Sequence, residues 1–358
     1  MNYEKEISSF ESKVGYELIQ EIGKGAFAKV YLATRRGYGL DRYVAVKLVD
    51  MSAMGERQRT VIMEEAKITG KLSHANIIHI YDCGILGENC FFIVAELING
   101  FSLKDVIRRH TDLVMDKLKG EESIPMSLLK HAIASILMHT ATGLSYIHNA
   151  RDLVTGDDLQ VIHNDLKPGN ILLGFDGALK VSDFGISYSP LRAAKIKGGS
   201  PAYMAPEWIK ALIDEDKNAS PSVASDIFSL GVCLHETLTD RRLFKAARPD
   251  MTRKEMLVKL YEQMENYRRG RTRRINPAAD PNLCRIADKC LSFDPEKRYQ
   301  STSQITNELD ALISDGVYHP QILDRRFLAE YMQNLFTEEE RSRYRASVNL
   351  VKTTGLLS

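Results

Sequence analysis

The segment His163-Asn164-Asp165-Leu166-Lys167-Pro168-Gly169-Asn170, with the apolar run Ile171 to Leu173 behind it, constrains this chain more than any other. A second apolar run, Leu179 to Val181, follows Phe175-Asp176-Gly177-Ala178, and Asp-Gly is a good hairpin turn. A hairpin brings its two ends together. Asn170 and Asp183 are therefore expected side by side at the open end, where their oxygens suit a hard cation such as Mg²⁺. Asp165 stands one short loop upstream, where a carboxylate can orient a hydroxyl and accept its proton, and Lys167 can neutralise negative charge on a group in transfer. Singly, such residues are more often turn formers and surface charges; it is the grouping that points to chemistry.

Three features upstream fit the same chemistry. In Ile22-Gly23-Lys24-Gly25-Ala26-Phe27-Ala28-Lys29-Val30, between two strand patterns, Gly23 and Gly25 let backbone amides approach a phosphate closely, although a glycine-rich hairpin is more often only a turn. The strand Tyr43 to Val49 alternates faces, so Ala45 and Lys47 point one way and Val44, Val46 and Leu48 the other. Lys47 needs an anionic partner if the strand is covered on both sides, and needs none on a solvated edge. Arg57 to Leu72 reads as a helix with Val61, Glu65, Ile68 and Leu72 on one face. Glu64 lies nearly as close to that stripe, so periodicity leaves both glutamates open as partners of Lys47.

Composition narrows the class. With 44% apolar and 27% charged residues over 358 positions, the chain is neither disordered nor fibrous, and its length suits two or three packed units. The net charge of +1 gives no whole-chain attraction to nucleic acid or anionic membrane. Five cysteines, Cys83, Cys90, Cys233, Cys284 and Cys290, form no C-x-x-C pair, which argues against a disulfide framework. The polar N-terminus and the absence of a long apolar run lead to the expectation of a cytoplasmic protein without a membrane segment. Helical patterns cover Ser127 to His148, Asp226 to Leu238 and Asn282 to Leu291, while Arg108 to Glu122 and Asn149 to Gln160 read as surface insertions. Thr337 and Glu340 read as a capping box that starts a helix in the tail.

Taken together, the motifs resemble the eukaryotic-type (Hanks-type) serine/threonine protein kinase family over about Tyr16 to Leu312, in the order that family has them. The resemblance implies an α+β, bilobal kinase-like fold: a small β-rich N-lobe with one key helix and a larger, mainly helical C-lobe. The expected organisation is an extension at 1–15, an N-lobe at 16–98, a C-lobe at 99–312 and a helical tail at 313–358. By resemblance, the loop of Ile22, Gly23, Gly25 and Phe27 covers the phosphates of ATP; Lys47 holds them and pairs with Glu65, a register that Leu72 and His74 fix over Glu64. The backbone of Glu96 and Ile98 binds adenine, Val30, Ala45 and Leu172 enclose its ring, and Ala95 is a small gatekeeper. Asp165 resembles the catalytic base, Lys167 the phosphate-contacting lysine, and Asn170 and Asp183 the ligands of Mg²⁺, for which Mn²⁺ can substitute. Gly199 to Glu207 resembles the end of an activation segment, with Glu207 paired to Arg298 and Asp226 bracing the catalytic loop.

The resemblance implies phosphorylation of protein serine or threonine, and separately the tail residues Ser347, Thr353 and Thr354 are candidate acceptors for autophosphorylation. Retention of Lys47, Glu65, Asp165, Asn170 and Asp183 weighs against a catalytically dead binding module, and the Ala-Pro-Glu run with its arginine against a small-molecule kinase. Asn164 stands where many members have arginine, so activity is expected not to depend strictly on phosphates at Ser187 or Ser189. Ala28 replaces the third loop glycine and Thr69 a usually apolar residue. The run Arg268 to Arg274 offers a docking place for an acidic partner, a solvated loop being the commoner meaning of such a run and nucleic acid not being expected.

Overall fold

The computed structural model describes residues 10–25, 28–35, 42–117, 126–183, 200–216, 218–245 and 251–344, less a few side chains within helices. These divide into two compact units, one built from Met1–Ser73, Ile78–Asn99 and Phe336–Ser358 and the other from His74–Ile77 and Gly100–Leu335.

The first unit is an antiparallel sheet in the order β1-β2-β3-β5-β4, with β1 Glu17–Lys24, β2 Ala28–Arg35, β3 Arg42–Asp50, β4 Ile80–Leu86 and β5 Cys90–Glu96. The alternation read from β3 is the alternation observed. Val44, Val46 and Leu48 are wholly buried on one face, each contributing about 1.5–3 kcal/mol by removal from water. They share that core with Tyr31, Phe92, Val94 and Phe10, the last lying upstream of the sheet and set edge-on to Phe92 at 5.3 Å. On the opposite face, helix α1 (Glu56–Thr69) lays Ala66, Ile62 and Met63 against Phe91, Val49 and Ile93. Ile93 is the cross-strand partner of Lys47, so this lysine rises from the helix-covered face.

The second unit is mainly helical: α2 Leu103–Lys117, α3 Met126–His148, α4 Pro206–Ile213, α5 Val223–Thr239, α6 Arg253–Glu265, α7 Arg271–Ile275, α8 Pro281–Cys290, α9 Thr302–Ser314 and α10 Arg325–Leu335. It also holds a small sheet, β6 Gly100–Ser102, β7 Ile171–Gly174 and β8 Leu179–Val181. Helix α5 is buried from Ser225 to Thr239, as its all-round apolar pattern predicts. Beyond α10, α11 (Glu338–Arg341) begins at the expected capping box, with Thr337 Oγ1 accepting from the Glu340 amide.

One expectation fails. Arg108 onward is not an insertion but the continuation of α2, which buries Leu103, Val106 and His110 along one face. The charge-rich composition hides the period, and one buried position on that face is a histidine, His110; residues 118–125 lie outside the described set. The second insertion is a surface loop, with Leu153 and Val154 over nine-tenths exposed. All five cysteines are free, and no described helix is long and apolar enough to cross a membrane.

Candidate active site

In the second unit the loop before β7 is organised from beneath by α5. Asp226, wholly buried, accepts the amides of His163 at 2.8 Å and Asn164 at 2.9 Å and the Nε2–H of His148 at 2.8 Å. Burial alone would raise its carboxyl, but these donors and the neighbouring imidazoles hold it below the ordinary carboxylate value. Asn164 has φ +60°, a left-handed conformation that asparagine tolerates better than most residues. His163 is buried, which lowers its pKa; its Nε2 donates to Ser182 O at 3.1 Å while Nδ1 accepts the Asp165 amide at 3.3 Å, the pattern of a neutral imidazole. The result is a loop whose backbone is bonded at successive residues before it presents Asp165.

Three donors converge on the Asp165 carboxylate. Lys167 Nζ lies 2.5 Å from Oδ2, Asn170 Nδ2 reaches Oδ2 at 3.3 Å, and the Ser200 amide donates to Oδ1 at 2.7 Å. Lys167 also donates to Ser200 Oγ at 3.1 Å, so its ammonium ties the loop to the segment that carries Ser200. Asn170 donates through Nδ2 to Asp165 O at 2.9 Å as well, which makes Oδ1 the amide atom with lone pairs for a cation. Its main-chain carbonyl accepts the Ser182 amide at 2.8 Å. Ile171 pairs with Val181, so the cross-strand neighbour of Asn170 is Ser182, and Asp183 follows one residue beyond rather than directly opposite. Asp183 is exposed with φ +55°, the backbone turning where the hairpin ends.

The remaining sequence-marked residues are seen one by one. In the first unit Gly23 pairs with Val30, and Gly25 N donates to Ala28 O at 2.7 Å. A Cβ at either glycine would meet no described atom closer than 3.6 Å, so packing among the described residues does not require glycine there. Ala45 pairs with Ala95, and Glu96 Oε1 accepts the His79 amide at 2.8 Å while Ile22, Val30, Lys47 and Ile98 are half-buried. In the second unit Leu172 of β7 pairs with Ser102 and Lys180. Phe27, the side chains of Glu64 and Glu65, Ser187, Ser189, Gly199, Ser347, Thr353 and Thr354 lie outside the described residues.

Farther along, Arg298 is fully enclosed and grips Glu207 with two nitrogens at 2.9 and 2.7 Å, its other bonds going to the carbonyls of Ser292, Ala224 and Phe293. This is the expected pair. Sequence reasoning missed His148 and His163 as supports, because a histidine's partners lie far from it in the chain.

The model of the family described as "Protein kinase domain" matches residues 16–309. The chain belongs to the protein kinase domain family. Relatives similar to it include "Tyrosine-protein kinase MasK" of Myxococcus xanthus, 28% identical over 95% of this chain and 49% of the relative. "Serine/threonine-protein kinase fray1" of Dictyostelium discoideum is 28% identical over 85% of this chain and 47% of its own length. "Serine/threonine-protein kinase PrkC" of Bacillus subtilis is 27% identical over 87% and 42%. The chain thus spans half or less of the length of these curated relatives.

For the kinase domain, the donor set fits a hard divalent cation: an amide oxygen held in place by its own nitrogen's bonds, and a carboxylate at the open end of the same hairpin. Among the described residues no cluster of three or more His, Cys, Asp or Glu offers a site of another kind. In the kinase domain's arginine run, Arg268 and Arg274 bond main-chain carbonyls of Glu265, Tyr267, Arg268 and Arg269, so part of that charge folds back on the chain.

Proposed function

We propose that this chain transfers the γ-phosphoryl group of ATP to serine or threonine hydroxyls of proteins. The observation that carries the reading is the Asp165 carboxylate, held by Lys167, Asn170 and Ser200 on a loop braced by Asp226. In this reading the substrate oxygen attacks the γ-phosphorus, its proton passes to an Asp165 oxygen, the bond to the β-phosphate oxygen breaks, and ADP leaves. Lys167 then acts as a fixed cation beside the transferred group. Mg²⁺ on Asn170 Oδ1 and Asp183, or Mn²⁺ in its place, would supply charge neutralisation at the phosphates. Lys47, paired with Glu65, is assigned to the α- and β-phosphates, and Ile22, Gly23, Gly25 and Phe27 to their cover. The backbone of Glu96 and Ile98 and the side chains of Val30, Ala45 and Leu172 are assigned to adenine. The open space at Gly23 and Gly25 supports the phosphate assignment, since no described atom would crowd a Cβ there.

Serine/threonine preference is supported by the Lys167–Ser200 contact and by the printed names of fray1 and PrkC. A tyrosine reading has the name of MasK in its favour. Cytoplasmic residence, argued from five free cysteines, and autophosphorylation belong to the same proposal. Purified protein given labelled ATP, Mg²⁺ and a generic protein substrate should yield phosphoserine or phosphothreonine. Asp165→Asn should lower the rate about 10²–10⁴-fold. Predominant phosphotyrosine would reject the specificity, and no transfer to any polypeptide would reject the activity.

A further inference from the structure

The family match ends at residue 309, but the described fold does not. Helix α10 buries Phe327, Leu328, Tyr331, Met332 and Leu335 along one face. It is anchored to the helices below it: Tyr331 Oη meets His110 Nε2 of α2, and Arg109 Nε donates to Leu335 O at 3.2 Å. Just upstream, Ser135 Oγ of α3 donates to Ile322 O at 2.6 Å.

From that fixed base α10 holds the turn of the β7–β8 hairpin. Arg325 Nε donates to Asp176 O at 2.9 Å, and Gln333 Nε2 donates to Phe175 O at 3.1 Å. Gly177, at φ +80°, lies so close that a Cβ there would stand 1.8 Å from Arg325 O and 2.9 Å from Ala329 N. Only glycine fits this seat, by conformation and by space. The Arg325–Asp176 ion pair adds little on its own, since both side chains are more than half exposed. The hold is on the main-chain carbonyls of two successive turn residues, Phe175 and Asp176.

We propose that α10 is a positioning element for the metal-ligand hairpin, setting Asn170 and Asp183 by gripping the turn at the hairpin's other end. The inference rests on the proposed Mg²⁺ role of those two residues. The strands are three and four residues long, so turn and ligands are only about 13 Å apart along a paired ribbon, short enough for the turn's orientation to set that of the ligands.

The test combines Arg325→Ala with Gln333→Ala, and takes Gly177→Ala as a second, separate variant. Hydrogen exchange in nucleotide-free protein should quicken at the amides of Gly174 and Ser182, which bond Ala178 O and Asn170 O across the hairpin, while those of Leu230 to Leu234 in α5 stay unchanged. Mn²⁺ binding to the complex with a non-hydrolysable ATP analogue, read by electron paramagnetic resonance, should weaken about tenfold, the scale of an outer-shell change. Turnover at saturating metal should change much less. Unchanged exchange and Mn²⁺ affinity in a folded variant overturn the inference. So does uniformly faster exchange, which would make α10 a general stabiliser. Wild-type protein that binds no metal–nucleotide complex would instead bring down the functional reading, and the inference with it.

Discussion

Asp226 and Asp240 sit at opposite ends of α5 in opposite electrostatic settings. Asp226, in the first turn, has three donors and the favourable end of the helix dipole. Asp240 caps the C-terminus with φ +52°, and its Oδ1 has no hydrogen-bond partner among the described residues. Burial pushes its carboxyl up to about 6. A carboxyl raised on folding binds its proton more readily in the native state, so its contribution to stability falls as pH rises from the unfolded value toward 6 and is least favourable above that. Asp240→Asn keeps the shape, suits the left-handed backbone and removes the charge. It should stabilise the protein by about 1 kcal/mol at pH 7.5, after discounting for partial solvent access, and by less at pH 5. Thermal melts at the two pH values check this; a variant less stable at pH 7.5 would refute the burial account. Asp226 was legible in the sequence because it sits in a recognisable run, whereas the strain on Asp240 arises from burial that local sequence does not reveal.

At the scale of elements, the Glu207–Arg298 pair joins the start of α4 to the turn before α9. Arg298 is also stacked over Phe228 at 5.0 Å, so its charge is enclosed by apolar as well as polar neighbours. Glu207→Ala would leave that guanidinium buried without its counter-charge, and should destabilise by about 3 kcal/mol, the lower end for a broken buried pair because Glu207 is 33% exposed. Urea unfolding measures it; a loss under 1 kcal/mol would mean that the three carbonyls suffice. Arg298→Lys should not restore the wild-type value, since an ammonium cannot make the forked contact. Elements with strong local signals were legible: the β7–β8 hairpin from Asp176-Gly177, β3 from its alternation, and α5 from its apolar circumference. Helix α2 was not, because its buried face includes a histidine, His110, and is interrupted by arginines. The position of Asp183 was off by one residue because the turn holds three residues between Gly174 and Ala178, whose main chains bond at 2.7 Å.

Across the whole molecule, buried histidines set the response to acid. Burial lowers His110 and His235 to about 4, and lowers His163 too. In the unfolded chain they take up protons near 6.5, so the unfolded state binds more protons between about 4 and 6.5 and native stability falls as pH drops through that range. Asp240 and Glu236, both raised by burial, oppose the trend. The melting temperature should therefore decline from pH 6.5 to 4.5, most steeply in the lower half; a flat profile would show that these imidazoles are not held neutral. An α+β kinase-type architecture was legible at this scale because its motifs occur in order. The seat of α10 on the hairpin was not, since Arg325 and Asp176 are 149 positions apart and neither belongs to a motif.

Phe10 lies before the span by which the family is recognised, yet its ring is sealed inside the five-stranded sheet's apolar layer. A gene fragment trimmed to the recognised borders would therefore open a hole beside Phe92 and strip the cover from Gly177 at the opposite extreme. The physical edges of this domain are wider than the span that the family model matches, and shortening the polypeptide to that span would remove parts of its interior.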